Sequence, residues 1–159
     1  MKSSASLLAA ISLAFPLTLL AAEHSHHDHG TAPQKIELNA GKKSPTDEPL
    51  RKGMSTIRDQ VAAALPQAHA GKLTPAQYEQ LGQDINAQVG YIVQNCKLDP
   101  KADAQLHVII GQLTQGVDAL EGQQPDKDRA LGVVKAAQAV NTYGKYFDHA
   151  GWKPVTLPH

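Results

Sequence analysis

Cysteine is nearly absent. Cys96 is the single one in 159 residues. An intramolecular disulfide is thereby excluded, although an exported chain would permit one. The thiol must be buried, bound to something, or paired with a second chain. No cysteine follows the N-terminal apolar run, which argues against a bacterial lipoprotein. Charge of one sign is also missing: fifteen basic residues balance fifteen acidic ones. A nucleic-acid binder would show a basic excess or stripe, so that class is excluded. Aromatics are scarce, at 4%, and few runs read as strands. Beyond the N-terminus there is no long apolar segment, so no membrane association is expected once that region is removed. The chain lacks Gly-x-Ser-x-Gly, a phosphate-binding glycine loop, His-Glu-x-x-His and the Glu-x-x-His pairs of di-iron bundles. A non-enzymatic role is the expectation.

What is present begins with a leader. Lys2 supplies a short positive region, and Leu7 to Leu20 is apolar except for Ser12, Pro16 and Thr18. Ala21 and Ala22 are small residues suited to a signal peptidase. Residues 1–22 therefore read as a secretory signal peptide, and the run is short for a membrane span, which needs about 20 apolar residues. The periplasm is the expected compartment. Residues 23–45 read as a flexible arm, polar and without helical period, with Ile36 and Leu38 alternating as a short extended segment would.

The arm opens on "AAEHSHHDHG". His24, His26, His27 and His29 fall within six residues, interleaved with Glu23 and Asp28. Neutral imidazole is a good ligand for copper, zinc and nickel. A flexible chain lets several rings converge on one ion, and the carboxylates concentrate cations locally. The cleavage site matters. If the leader ends at Ala21, the mature chain starts Ala22-Glu23-His24, giving an amine, two amide nitrogens and an imidazole. That square-planar set suits Cu(II) and Ni(II). Cleavage after Ala22 places His24 second and breaks the set.

From residue 46 to residue 159 the pattern is helical. Leu50, Met54, Ile57, Val61, Leu65 and Ala68 recur at spacings of three and four, one apolar stripe. Thr46 or Asp47 caps it, Pro49 falls in the first turn, Pro66 kinks or ends it and Gly71 closes it. "LTPAQ" is a capping box on Thr74 and Gln77 with Pro75 at the first helical position. Tyr78, Leu81, Ile85, Val89 and Ile92 form that stripe, to about Asn95. Asp99 and Pro100 repeat the device, followed by Leu106, Ile109, Ile110, Leu113, Val117 and Leu120, with Gly122 as the stop. A fourth helix starts near Pro125 or Asp126, with Ala130, Leu131, Val134, Ala137, Val140 and Phe147 as its core face. Four amphipathic helices joined by short loops predict an all-α, up-down-up-down antiparallel four-helix bundle.

Within it, "NCKLDPKADAQLH" carries two candidate metal ligands. Cys96 lies between helices two and three, near Lys97 and a helix N-terminus. It is either a lowered-pKa, reactive thiol or a small buried residue at a hairpin tip. His107 lies deeper in helix three, roughly 12 Å from the cap at 1.5 Å per residue, so the two should not share an ion. Asp103 and His107 are an i, i+4 pair that orients the ring or sits on a solvated face.

"YGKYFDHAGW" concentrates Tyr143, Tyr146, Phe147 and Trp152. They are expected to plug one end of the bundle. The alternative uses His149 with Met54: antiparallel helices put both at the same end, and methionine plus histidine is a haem ligand pair. In this layout the chain resembles the exported four-helix bundles of the cytochrome b562 and cytochrome c′ type. The resemblance implies a haem-binding electron-transfer bundle, with Met54 and His149 as cofactor ligands. No Cys-x-x-Cys-His occurs, so covalent attachment is not implied. "NCKLDPKADAQLH" and "YFDHAGW" also resemble small exported helical proteins of proteobacteria. The sequence thus points first to a periplasmic metal-binding protein in metal homeostasis or resistance. Second is the b-type haem bundle, and third a periplasmic adaptor or chaperone-like module with a protein partner.

Overall fold

The computed structural model describes residues 35–122 and 125–158. The leader and the histidines at 24, 26, 27 and 29 lie outside that span. Four helices follow in order: α1 (Glu48–His69), α2 (Pro75–Asn95), α3 (Pro100–Glu121) and α4 (Asp126–Tyr146). The first three helix starts are written in local chemistry, whereas α4 begins after Pro125 with no side-chain cap. Asp47 caps α1 by accepting from Leu50 N at 2.9 Å. Thr74 and Gln77 form the reciprocal capping box of α2, and Asp99 accepts from Lys101 N and Ala102 N to start α3. A proline occupies the first turn in all three, where a missing N–H costs nothing.

Pro66 does not end α1. The helix continues to His69 and closes in a Schellman arrangement. Lys72 N donates to Gln67 O and Gly71 N to Ala68 O, with Gly71 at φ +65°. The loops are short, so chain neighbours pack antiparallel: α1 on α2, α2 on α3, α3 on α4. The ring closes with α4 on α1, and α2 also touches α4 across the bundle. No helix among the described residues is long and apolar enough to cross a membrane.

The core is the expected apolar stripes, with one face displaced. Leu50, Met54, Ile57, Val61, Tyr78, Ile85, Ile92, Leu106, Ile109, Leu113, Val117 and Leu120 are all buried. Val89 and Ile110 are half-buried. On α4 the expected face is wrong at Leu131, which is 56% exposed. The buried apolar residues are Val133, Ala136, Ala137, Ala139, Val140 and Tyr143, with Phe147 at the C-cap. Glycine explains the rotation. A Cβ on Gly132 would lie 2.8 Å from Gly116 O, and one on Gly116 would lie 3.0 Å from Gly132 O and Ala136 N. The α3 and α4 backbones therefore touch along the Gly132 and Ala136 side of α4. Leu131, one residue round from that seam, is turned outward.

The domain boundary also moves. Residues 36–45, expected as part of the flexible arm, are packed on the bundle. Ile36 is half-buried against the core, and Glu37 N donates to Gln105 Oε1 on α3 at 2.9 Å. Asn39 and Lys42 exchange both backbone hydrogen bonds around Ala40 (φ +51°) and Gly41 (φ +77°), a tight hairpin turn. Ser44, buried, then bridges to the end of α4: its N–H donates to Tyr146 O and its carbonyl accepts from Asp148 N, each at 2.8 Å.

Candidate functional site

One end of the bundle holds Cys96 and His149, two of the residues that the sequence singled out. It is built by the start of α1, the end of α2 and the end of α4. From the N-cap of α1 onward, Asp47, Arg51, Ser55 and Arg58 recur at helical spacing beside the apolar stripe. Asp47 does more than cap: its Oδ2 accepts from Lys97 N at 2.6 Å, joining α1 to the α2–α3 loop. Arg51 donates to the Thr46 carbonyl at 2.7 Å, and Thr46 Oγ1 donates to Asp148 O at 2.6 Å. Lys43 Nζ reaches Gly144 O at 2.7 Å. These bonds tie the hairpin, α1 and the end of α4 into one junction.

The aromatic residues close it. Tyr143 stacks on Phe147 with centroids 5.1 Å apart, and Trp152 meets Tyr143 edge-on at 4.8 Å. Trp152 lies directly on α4 at Gly144, where any Cβ would overlap the indole. Arg58 sits over its ring at 5.6 Å. His149 completes the group in the loop after α4. Its Nδ1 is 3.0 Å from the Tyr143 hydroxyl and its Nε2 is 3.4 Å from Ser55 Oγ. In the neutral ring one of these nitrogens donates and the other accepts.

Electrostatics favour uncharged forms here. Burial, followed by the Arg51 and Arg58 cations, holds the His149 imidazole below its ordinary value. Burial also pushes the Tyr143 phenol up, against the pull of Arg51. Asp47 is the exception. Burial alone would raise its carboxyl. The Lys97 and Leu50 amides, the Cys96 thiol and Arg51 outweigh that and keep it below the usual carboxylate range.

Cys96 caps the end of α2 and is half-buried. Its thiol donates to Asp47. Burial, then the Asp47 carboxylate and Asp103, push it up to about 12. The reactive, lowered-pKa alternative is therefore corrected: burial, and after it the carboxylates of Asp47 and Asp103, disfavour the thiolate. The residue is a protonated hydrogen-bond donor at neutral pH. His107 is 64% exposed at its side chain, with Nδ1 2.9 Å from Asp103 O and 3.4 Å from Asp103 Oδ2. The i, i+4 pair exists, on the solvated face of α3. Cys96 and His107 are not brought together. Among the described residues no three of His, Cys, Asp and Glu lie close enough to hold a metal ion.

Met54 is fully buried in the core, on the turn of α1 that also carries Ser55, the neighbour of His149. Haem ligation by Met54 and His149 would require Met54 to leave that position and His149 to release one of its two ring partners. The sequence reading missed the junction's cationic half. The signal was available: Asp47, Arg51 and Ser55 stand four residues apart and Arg58 three further on, a polar stripe flanking the apolar one. Comparisons with protein-family models, curated proteins and solved structures found no match.

Proposed function

We propose that the chain is an exported, non-enzymatic metal-binding protein whose ligands are His24, His26, His27 and His29. Copper, zinc or nickel is the cargo, in metal homeostasis or resistance. One observation carries this reading: four imidazoles within six residues, directly after an apolar leader. Such ligands stand next to one another in the sequence, so several imidazoles are offered to one ion without distant elements having to bring them together. The junction at the end of the bundle supports a division of labour. Its thiol is protonated, its imidazole is committed to Tyr143 and Ser55, and its carboxylate is committed to two amides. These groups stabilise a carrier; the ligands are sought elsewhere.

The test is isothermal titration of the processed protein with Cu(II), Zn(II) and Ni(II), beside a variant with His24, His26, His27 and His29 changed to Ala. Binding in the parent that disappears in the variant is expected. Equal stoichiometry and affinity in both overturns the reading. The mass of the exported protein adds a second constraint. A chain starting at Ala22 has a free amine two residues from His24 and should hold Cu(II) or Ni(II) in a square-planar, visibly coloured complex. A chain starting beyond Gly30 lacks the ligands altogether.

A further inference from the structure

Past the end of α4 the chain turns back over the bundle as a strap. Asp148 fixes its root: its N–H donates to Ser44 O at 2.8 Å, and its carbonyl accepts from Thr46 Oγ1 at 2.6 Å. Residues 149–158 then run without helix or strand. Their fastenings are few. Val155 exchanges two hydrogen bonds with the Asn141 amide, at 2.8 Å and 2.9 Å. Trp152 packs on Tyr143 and Gly144. His149 stands between α4 and α1, at the Tyr143 and Ser55 hydroxyls. Of residues 149–158 only Val155 is buried. A segment with so little buried apolar surface opens at lower cost than the helices beneath it.

His149 is the fastening whose charge can change. Its hydroxyl partners can accept as well as donate, so the hydrogen bonds alone do not forbid an imidazolium. The surroundings oppose it. Arg51 and Arg58 act on the ring from α1. Lys43 of the hairpin and Lys145 of α4 line the same hollow as His149, about 440 Å³ in volume. The carboxylates of α1 are engaged elsewhere. Asp47 holds the Leu50 and Lys97 amides and the Cys96 thiol, and Asp59 pairs with Arg58 at 2.6 Å. Asp148, next to His149 in the chain, is exposed. The Tyr143 phenol and the Cys96 thiol are both pushed up and stay neutral. A proton on His149 therefore adds a cation to a cationic junction.

We propose that residues 149–158 are an acid-released strap: protonation of His149 drives the segment off α1 and α4 while the four-helix bundle stays folded, uncovering the apolar surface around Tyr143, Gly144 and Leu65. Acid works in one direction here. With the strap closed the ring is held below its ordinary value; with the strap open it meets water and titrates near about 6.5. The open form binds the proton more tightly. Release therefore starts below about pH 6.5 and grows until pH passes the closed-form value. Each unit between the two values multiplies the opening equilibrium about tenfold. The strap needs none of the histidines at 24, 26, 27 and 29 and is independent of metal capture.

The test is hydrogen–deuterium exchange of the full chain at pH 7.5 and pH 5, read by mass spectrometry and corrected for intrinsic exchange rates. Trp152, the single tryptophan, is followed by fluorescence in parallel. The Trp152 and Val155 amides donate to His149 O and Asn141 Oδ1. At pH 5 their protection should fall at least about threefold, while amides within α1 to α4 keep theirs. Trp152 emission should move to the red with unchanged helical circular dichroism, and return to pH 7.5 should restore both. His149→Gln cannot take up the proton and should show the same protection at both pH values. If that variant is not helical at pH 7.5, Arg58→Gln replaces it: loss of one α1 cation should shrink the difference between the two pH values. Equal protection of the parent's strap at pH 7.5 and pH 5 overturns the proposal. So does a loss shared equally by strap and helices, which is global unfolding. A loss of the parent's size in His149→Gln, or in Arg58→Gln where that stands in, overturns it as well.

Discussion

Cys96 and His149 lie in the same junction and are both held in their uncharged forms, and each makes a separate prediction. The thiol, pushed up to about 12, is protonated at neutral pH, and only the thiolate is nucleophilic. Alkylation of the folded chain by iodoacetamide at pH 8 should therefore be at least about tenfold slower than in denaturant. Mass spectrometry of timed samples reads this directly; equal rates in both conditions would refute the protonated thiol. His149 predicts a pH dependence of stability. Burial, Arg51 and Arg58 lower its folded value, while the unfolded ring titrates near about 6.5. Below that point the unfolded state binds more protons. Stability is thus full above about pH 6.5 and declines as pH falls through the folded value. Asp47 acts in the same direction at lower pH. Its folded carboxyl lies below 3.8, so its contribution holds at neutral pH and disappears as pH falls through that folded value. Urea midpoints between pH 7.5 and 5 should drop for the parent. A His149→Gln variant, starting from a lower midpoint, should show a flatter profile.

At the scale of elements, the glycines of the helices divide into two kinds, and the division can be measured. Gly132 lies against the backbone of α3, where a Cβ would meet Gly116 O at 2.8 Å and the Ala119 methyl at 3.0 Å. Neither helix can yield without opening the α3–α4 seam. Overpacking costs about 1–3 kcal/mol, more than the ~1 kcal/mol that alanine adds in helix propensity. Gly132→Ala should lower stability. Gly111 is exposed on α3 and a Cβ there meets nothing within 4 Å. Gly111→Ala should stabilise by about 0.5–1 kcal/mol. Opposite signs in chemical denaturation are expected; the same sign in both would mean that the seam is not as close as drawn. These glycines also mark where sequence reading stops. Helix starts at Asp47, Thr74 and Asp99 were legible because caps are local chemistry. The stripes of α1, α2 and α3 were legible because their large apolar residues repeat. On α4 the inward face is largely alanine, valine and glycine, and Leu131, the most apolar-looking choice, points out. Its orientation depends on a contact between backbones that no single helix encodes. The hairpin at residues 36–44 was hidden for the same reason. It is polar in composition, and its partners are Gln105 and the end of α4, far along the chain. The junction was half legible: Cys96, His149 and the aromatic residues stood out by type and Asp47 as a cap, while Arg51, Ser55 and Arg58 look like an ordinary solvated helix face until the fold brings the C-terminal loop over them.

Seen as one molecule, the bundle is closed at both ends by different means. The Asp47, Ser44 and Tyr143 junction ties one end. At the other, where α2 and α4 begin and α3 finishes, Arg129 is 5% exposed. It donates to the Leu120 carbonyl at the end of α3 and approaches Glu79 Oε1 on α2 at 3.4 Å. One side chain on α4 thereby satisfies the terminal turn of α3 and contacts α2. Its value lies chiefly in that carbonyl, an orphan acceptor at a helix end. Glu79 is 46% exposed at its side chain and can turn to water if its partner is lost. Arg129→Met keeps much of the apolar stem but leaves the buried acceptor unpaired, at about 1–3 kcal/mol. Because Arg129 joins three helices, the loss should be felt by the whole bundle. The urea midpoint should fall with an unchanged slope, and far-UV circular dichroism and Trp152 fluorescence should still report one shared transition. Trp152 is the single tryptophan and sits in the junction at the far end, so it tests whether damage at one closure is transmitted to the other. If its transition stays at the parent midpoint while the helical signal moves, the two ends unfold separately and the bundle is not one cooperative unit.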